Sequence, residues 1–139
     1  ELGHQLASDD AGAFDGVMSA FKLPKNTDDE IEYRRSAIHN ATLDAAKVPM
    51  KTAMCAFELL ETLPALARTG NGNAVTDVGV AGLLVSASCK GALFNVEINI
   101  NSLPNDIGGD LRSQLDDLRN LCRDVSRDVM NAVNDRMQS

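Results

Sequence analysis

Residues 70–101 read GNGNAVTDVGVAGLLVSASCKGALFNVEININ, a polar glycine/asparagine turn that opens into a long apolar segment with no charged side chain between Val78 and Cys89. Gly79, Ala81, Gly82, Ala87, Gly91 and Ala92 place small residues where a neighbouring backbone can come close. A helix that is apolar all round belongs in a core or an interface. Asp77, Lys90, Asn95, Glu97 and Asn99 then lie at the ends of, or within, a mostly dry element, where polar groups need partners or ligands. The VEINI run at 96–100 has local strand character, but the chain offers no second strand to pair with it, and isolated strands are not stable. The segment is therefore expected to be one helix from an N-cap at Asn73 to about Asn101, and the chain to be all-α.

The flanking sequence fits that class. An apolar pattern from about Leu2 to Phe21 stops at Leu23-Pro24, since the residue before a proline disfavours helix. No N-cap signal precedes it, so this helix is expected to begin upstream in a longer parent protein. Thr27-Asp28-Asp29-Glu30 is a capping box that starts a helix running toward Lys47. Val48-Pro49 is expected to kink or restart it, and a further helix from Pro49 should end at Gly70, with Pro64 bending its last part. Pro104 closes the apolar helix, and Asp106 to Asp110 restart the chain. From Leu111 to Met137, Leu111, Leu115, Leu118, Cys122, Val125, Val129 and Val133 repeat at three- and four-residue steps opposite a face dense in Asp and Arg. The expected architecture is a single domain, 1–139: a bundle of long antiparallel helices around a buried, small-residue-rich helix, without repeats or linkers.

Composition removes several function classes. A net charge of −7 and a pI near 4.7 leave no basic field for nucleic acid or an anionic membrane. Lys90 interrupts the apolar stretch before the length a membrane span needs, so no span is expected. Cys55, Cys89 and Cys122 are odd in number, far apart and set in apolar helical contexts, which reads as buried thiols in a reducing compartment. With no basic region followed by an apolar one at the N-terminus, the expected location is the cytoplasm. His4 and His39 have no partners at metal-ligand spacing, and no nucleophile elbow, P-loop or dinucleotide fingerprint occurs.

Carboxylates and amides remain. Asp77 falls in the first turn of the apolar helix, where an acid is favoured simply by the helix N-terminus; alternatively it orients a water or stabilises a cationic substrate. Asp10 has the plainer reading of a solvated helix face. Asn95 and Asn99 are four apart and share a helix face, suited either to cross-linking helices or to the donor/acceptor edge of a heterocycle. Lys22, Lys25, Arg34, Arg35, Lys47 and Lys51 gather early in the chain, a solvated face able to steer an anion.

DDAGAFDGVMSAFKLPK at 9–25, the Arg34-Arg35-x-Ala37-Ile38 helix, the Val48-Pro49 break, GNGNAVTDVGVAGLL at 70–84 and GALFNVEIN at 91–99 together resemble, in order, the formiminotransferase-cyclodeaminase C-terminal domain family. Asp10, Phe14, Met18, Leu23 and Pro24 match its first block. Asn71, Asn73, Asp77, Val80 and Ala81 match the second, with Thr76 in place of the usual serine, and Asn95, Val96, Ile98 and Asn99 match the third. The family's Gly-rich segment and alanine-rich first helix, which precede these blocks, have no counterpart here. The resemblance implies an all-helical, dimeric folate enzyme. It would either hydrolyse 5,10-methenyltetrahydrofolate to 10-formyltetrahydrofolate or release ammonia from 5-formiminotetrahydrofolate, with a tetrahydrofolate derivative as substrate and neither metal nor redox cofactor. On this reading Asp77, then Asp10, is the catalytic carboxylate; Asn73, Asn95 and Asn99 hold the polar edge of the folate, and Lys22 or Arg34 meets its glutamate tail. The competing reading is a non-catalytic helical dimerisation or scaffold domain.

Overall fold

The computed structural model describes residues 2–138. It contains four helices, α1 (Leu2–Phe21), α2 (Asp28–Thr69), α3 (Val75–Asn101) and α4 (Gly109–Gln138), and no strand among the described residues. The expected all-α bundle is what forms. The VEINI run lies inside α3: without a pairing edge it joins the helix, where Val96 and Ile100 enter the core and Ile98 stays exposed. Residues 48–52 of α2 meet 88–95 of α3, while 63–70 meet 74–81, so the two helices run antiparallel; α1 packs chiefly on α2, and α4 lies against both α2 and α3.

Two helix boundaries differ from those expected. α2 is continuous for 42 residues through Pro49 and Pro64. Each proline removes one N–H bond, yet the helix runs on through both, which are buried together with Met50, Ala53, Leu60, Leu63 and Ala67. Asn73 is not the cap of α3. Asn71 caps a short 3-10 turn, Gly72–Ala74, by accepting from the Asn73 backbone N–H at 3.0 Å, and α3 begins after Ala74 with no side-chain cap. The capping box at Thr27 does form: its Oγ1 accepts from the Glu30 N–H, while the Glu30 carboxylate reaches back to the Asn26 N–H at 2.7 Å.

The core is a seam of α2, α3 and α4, in which Leu60, Leu93, Val96, Ile100, Val129, Cys89 and Cys122 are fully enclosed. Gly79 and Gly82 set the spacing of α3 against α4. A Cβ at Gly82 would stand 2.7 Å from Val129 Cγ1, and one at Gly79 would stand 3.2 Å from Val133 Cγ1. Ser86 and Ser126 join their hydroxyls across the seam at 2.7 Å, and no described buried side-chain polar atom lacks a partner. Arg112 closes the far end, donating to the carbonyls of Ile100, Leu103 and Ile107 around the Gly108 turn, where φ is +77°.

α3 is not buried all round. Only α2 and α4 pack extensively on it, which leaves Val80, Leu83, Leu84, Phe94 and Ile98 between 56% and 71% exposed. The small residues divide likewise: Gly79, Gly82 and Ala92 face neighbours, whereas Ala87 and Gly91 are exposed. Lys90 does end the charge-free run, but one charge does not take the helix below the length and apolarity of a membrane span. By length and composition alone residues 72–101 are apolar enough to cross a membrane: an 18-residue window within them reaches a mean hydropathy of 1.4, and a third of that window is buried in the bundle.

Candidate functional site

Two concave sites flank α3 on the side of α2. The first, about 420 Å³, opens where α1 and α3 straddle α2. α1 supplies Gly3, Leu6, Ala7 and Asp10; α2 supplies Val48, Pro49 and Thr52; α3 supplies Ser88, Gly91, Ala92 and Asn95. The local sequence explains its shape. Pro49 forms part of a smooth apolar wall, and the small residues at 88, 91 and 92 keep the α3 side shallow, so that Asp10 and Asn95 line one space with the hydroxyls of Thr52 and Ser88. A carboxylate, an amide and two hydroxyls on an otherwise apolar surface is the usual make-up of a small-molecule groove.

The second site, about 390 Å³, lies at the other end of α3 and is lined by Leu63, Leu66, Gly70, Asn71, Ala74, Asp77, Val78 and Ala81. Asp77 is its one charged lining residue, with the Asn71 amide nearby in a largely apolar wall. Arg136 donates to the Gly70 carbonyl at 3.4 Å and ties the turn to the end of α4.

The residues singled out in the sequence therefore do not form one cluster. Asp77 and Asn95 are eighteen positions apart on one helix, roughly 27 Å at 1.5 Å per residue, and Asp10 shares the groove of Asn95. Asn73 lines neither cavity; Asn71 takes the place expected of it. Asn99 bonds back along its own helix, its Nδ2 donating to the Asn95 carbonyl at 3.0 Å, so the asparagine pair does not cross-link helices. Arg34 is engaged locally: its guanidinium donates to the Phe21 carbonyl at 3.0 and 3.3 Å and lies 5.6 Å over the Phe21 ring, capping the C-terminus of α1. Lys22 is exposed one residue beyond α1 and lines neither cavity. Thr52, Ser88 and Gly91 were not picked out for a site from the sequence. Their signal was the i, i+3, i+4, i+7 stripe of Ser88, Gly91, Ala92 and Asn95, which puts small and polar residues on one line of α3.

No group of three or more His, Cys, Asp or Glu among the described residues is arranged to hold a metal ion. Cys89 and Cys122 face each other in the α3–α4 seam. Burial, reinforced by the Cys122 thiol and opposed by Lys90, pushes the Cys89 thiol up to about 12, so it stays neutral and is no nucleophile at ordinary pH.

Residues 3–115 match the profile of the family described as formiminotransferase-cyclodeaminase. The chain is 38% identical over 98 residues to the methenyltetrahydrofolate cyclohydrolase of Methylorubrum extorquens, covering 70% of this chain and 47% of that protein. It is 36% identical over 102 residues to the formimidoyltransferase-cyclodeaminase of Rattus norvegicus, covering 73% of this chain and 19% of that protein. Among solved structures, the formiminotetrahydrofolate cyclodeaminase of Thermotoga maritima superposes with a TM-score of 0.77 at 26% identity, over 94% of this chain and 61% of that one. The chain thus spans about half the length of the cyclohydrolase and about a fifth of the bifunctional protein.

Proposed function

The chain belongs to the formiminotransferase-cyclodeaminase family, and from that premise we propose that it acts in folate one-carbon chemistry, hydrolysing 5,10-methenyltetrahydrofolate to 10-formyltetrahydrofolate or deaminating 5-formiminotetrahydrofolate to the methenyl form. The observation that carries this reading is the groove in which Asp10 and Asn95, from separate blocks of the family pattern and from separate helices, line one space. The methenyl carbon bridges two nitrogens of a delocalised cation. A carboxylate beside it stabilises that positive charge and accepts one proton of the attacking water; the resulting carbinolamine then loses its hydroxyl proton as one carbon–nitrogen bond breaks, the departing nitrogen takes up a proton, and the formyl group stays on the other nitrogen. The Asn95 amide offers a donor and an acceptor to the edge of a pterin, and the hydroxyls of Thr52 and Ser88, which donate to the Val48 and Leu84 carbonyls, add acceptors.

This reverses the order expected from sequence, in which Asp77 came before Asp10. Asp77 sits in a separate, more apolar pocket, and the plain account of an acid in the first turn of a helix covers it. Methenyltetrahydrofolate loses its near-ultraviolet absorbance on ring opening, which gives the assay. Asp10→Asn should lower turnover by about a hundred-fold or more, and Asp77→Asn by no more than a few-fold. The reverse pattern moves the chemistry to the Asp77 pocket; if both variants keep near wild-type rates, neither carboxylate is the base. Ammonia release from 5-formiminotetrahydrofolate separates the two activities.

The exposed apolar face of α3 favours a homodimer in which a second copy covers Val80, Leu83 and Leu84, and the free, largely buried thiols suit the cytoplasm. The same face also favours the second reading, a non-catalytic dimerisation or scaffold domain. A wild-type chain that dimerises and leaves both folates intact would establish that one.

A further inference from the structure

On the flank of α3 opposite the Asp10 groove, a third cavity of about 330 Å³ lies between α3 and α4, and its walls are Lys90, Leu93, Phe94, Arg119 and Arg123. Three cations thus meet at one concavity in a chain whose net charge is −7, and no carboxylate lines it. The acids that pair with these cations stand outside: Glu97 holds Arg119 at 2.9 Å and Asp116 approaches it at 3.5 Å, while Asp124 lies 3.5 Å from Arg123 Nε. Lys90 makes no ion pair among the described residues. Phe94 presents 68% of its surface to solvent at the same mouth, one of only five aromatic side chains in the protein.

We propose that this pocket binds an aryl-linked carboxylate, the ring against Phe94 and the acid groups on Lys90 and Arg123. The proposal deepens the folate reading and rests on it for the natural ligand, whose aroyl-glutamate tail has this chemistry. At 100° per residue, Gly91 and Asn95 in the groove and Lys90 and Leu93 in the pocket lie on opposite flanks of α3 at one height. The helix is about 10 Å across, and the ridge between the flanks is low at Gly91, where nothing stands within 4 Å of an added Cβ. An elongated substrate with its pterin beside Asp10 has a path over Gly91 to the cations. Arg34 and Lys22, the tail contacts expected from sequence, line neither cavity.

The test uses the intact chain and N-(4-aminobenzoyl)-L-glutamate as a probe, titrated by calorimetry at low ionic strength. The wild type should bind it saturably, and Lys90→Ala and Arg123→Ala should each weaken binding about five- to ten-fold, as expected for loss of one charge-assisted contact at a half-exposed site. Arg127→Ala removes an equal charge from α4 outside the pocket and should leave the affinity unchanged. No saturable binding by the wild type, or equal affinity in the Lys90 and Arg123 variants, overturns the pocket. Turnover is read separately. If wild type consumes methenyltetrahydrofolate and the variant carrying both Lys90→Ala and Arg123→Ala keeps its KM, the pocket is wrong and the enzyme reading survives; probe binding without turnover leaves the pocket standing and removes the enzyme reading.

Discussion

The two faces of α3 are built from the same kinds of residue and meet opposite environments. Inward, Val78, Gly79, Gly82, Cys89, Leu93, Val96 and Ile100 interlock with α2 and α4; outward, Val80, Leu83, Leu84, Phe94 and Ile98 meet no other element of the chain closely enough to be covered. α4 is the contrast: its Asp/Arg face and its Leu/Val face declare which way each will point. Where a helix has no polar side, composition cannot say which half is core, and only the position of its neighbours does.

Substitutions on the two faces sharpen or break this comparison. The largest difference is expected between Ile100→Ala and Ile98→Ala. The first removes a fully buried side chain and should cost about 2–5 kcal/mol in urea denaturation. The second, 71% exposed, should cost about 0.5 kcal/mol or less at concentrations where the chain is monomeric. A cost for Ile98→Ala that grows with protein concentration would place a second copy over this face; equal costs under all conditions would end the distinction.

Next comes the hydroxide-driven loss of stability at the seam. The Cys89 thiol is raised from 9.0 to about 12 in the folded protein. Below pH 9 both states keep the proton and nothing changes with pH. Above it the unfolded chain ionises first, so stability falls, by about 1.4 kcal/mol per pH unit at most, until the folded thiol also ionises. Urea midpoints compared between pH 8 and pH 10.5 for wild type and Cys89→Ala should show a smaller decline in the variant. Parallel declines would mean that the thiol is not held neutral.

The third effect is a change of sign. Gly82→Ala puts a methyl 2.7 Å from the enclosed Val129 and should destabilise by about 1–2 kcal/mol, overpacking outweighing the gain in helix propensity. Gly91→Ala meets open space and should stabilise by about 0.5–1 kcal/mol. Thermal melts of the pair decide whether the two glycines differ as their surroundings require.

Much of the fold was legible because its signals are local. The capping box at Thr27, the proline stop at Leu23-Pro24 and the three/four repeat of α4 each depend on residues within a turn or two. The restart expected as one outcome at Val48-Pro49 does not occur: α2 continues through the proline, which is buried, and burial is a long-range quantity. The cap expected at Asn73 does not form because a single 3-10 turn intervenes: Asn71, with the same chemistry, caps that turn, and α3 starts after Ala74 without a side-chain cap. In the site, Asp10 and Asn95 were legible as residue types, while their meeting depends on the packing of α1 and α3 across α2 and could not be read from spacing. Arg34 shows the reverse: a plausible anion contact by charge that tertiary structure commits to the end of α1.

The sequence by itself determined that every element is a helix, where most of them start and stop, and which face of α4 is buried, since hydrogen bonding along a helix and the periodicity of its side chains are properties of neighbouring residues. Tertiary structure alone decided which half of α3 is core, that Asp10 and Asp77 lie in separate cavities, and that three cations from two helices converge on one pocket. Each of those depends on where helices distant in sequence lie relative to one another, and no local pattern encodes that distance.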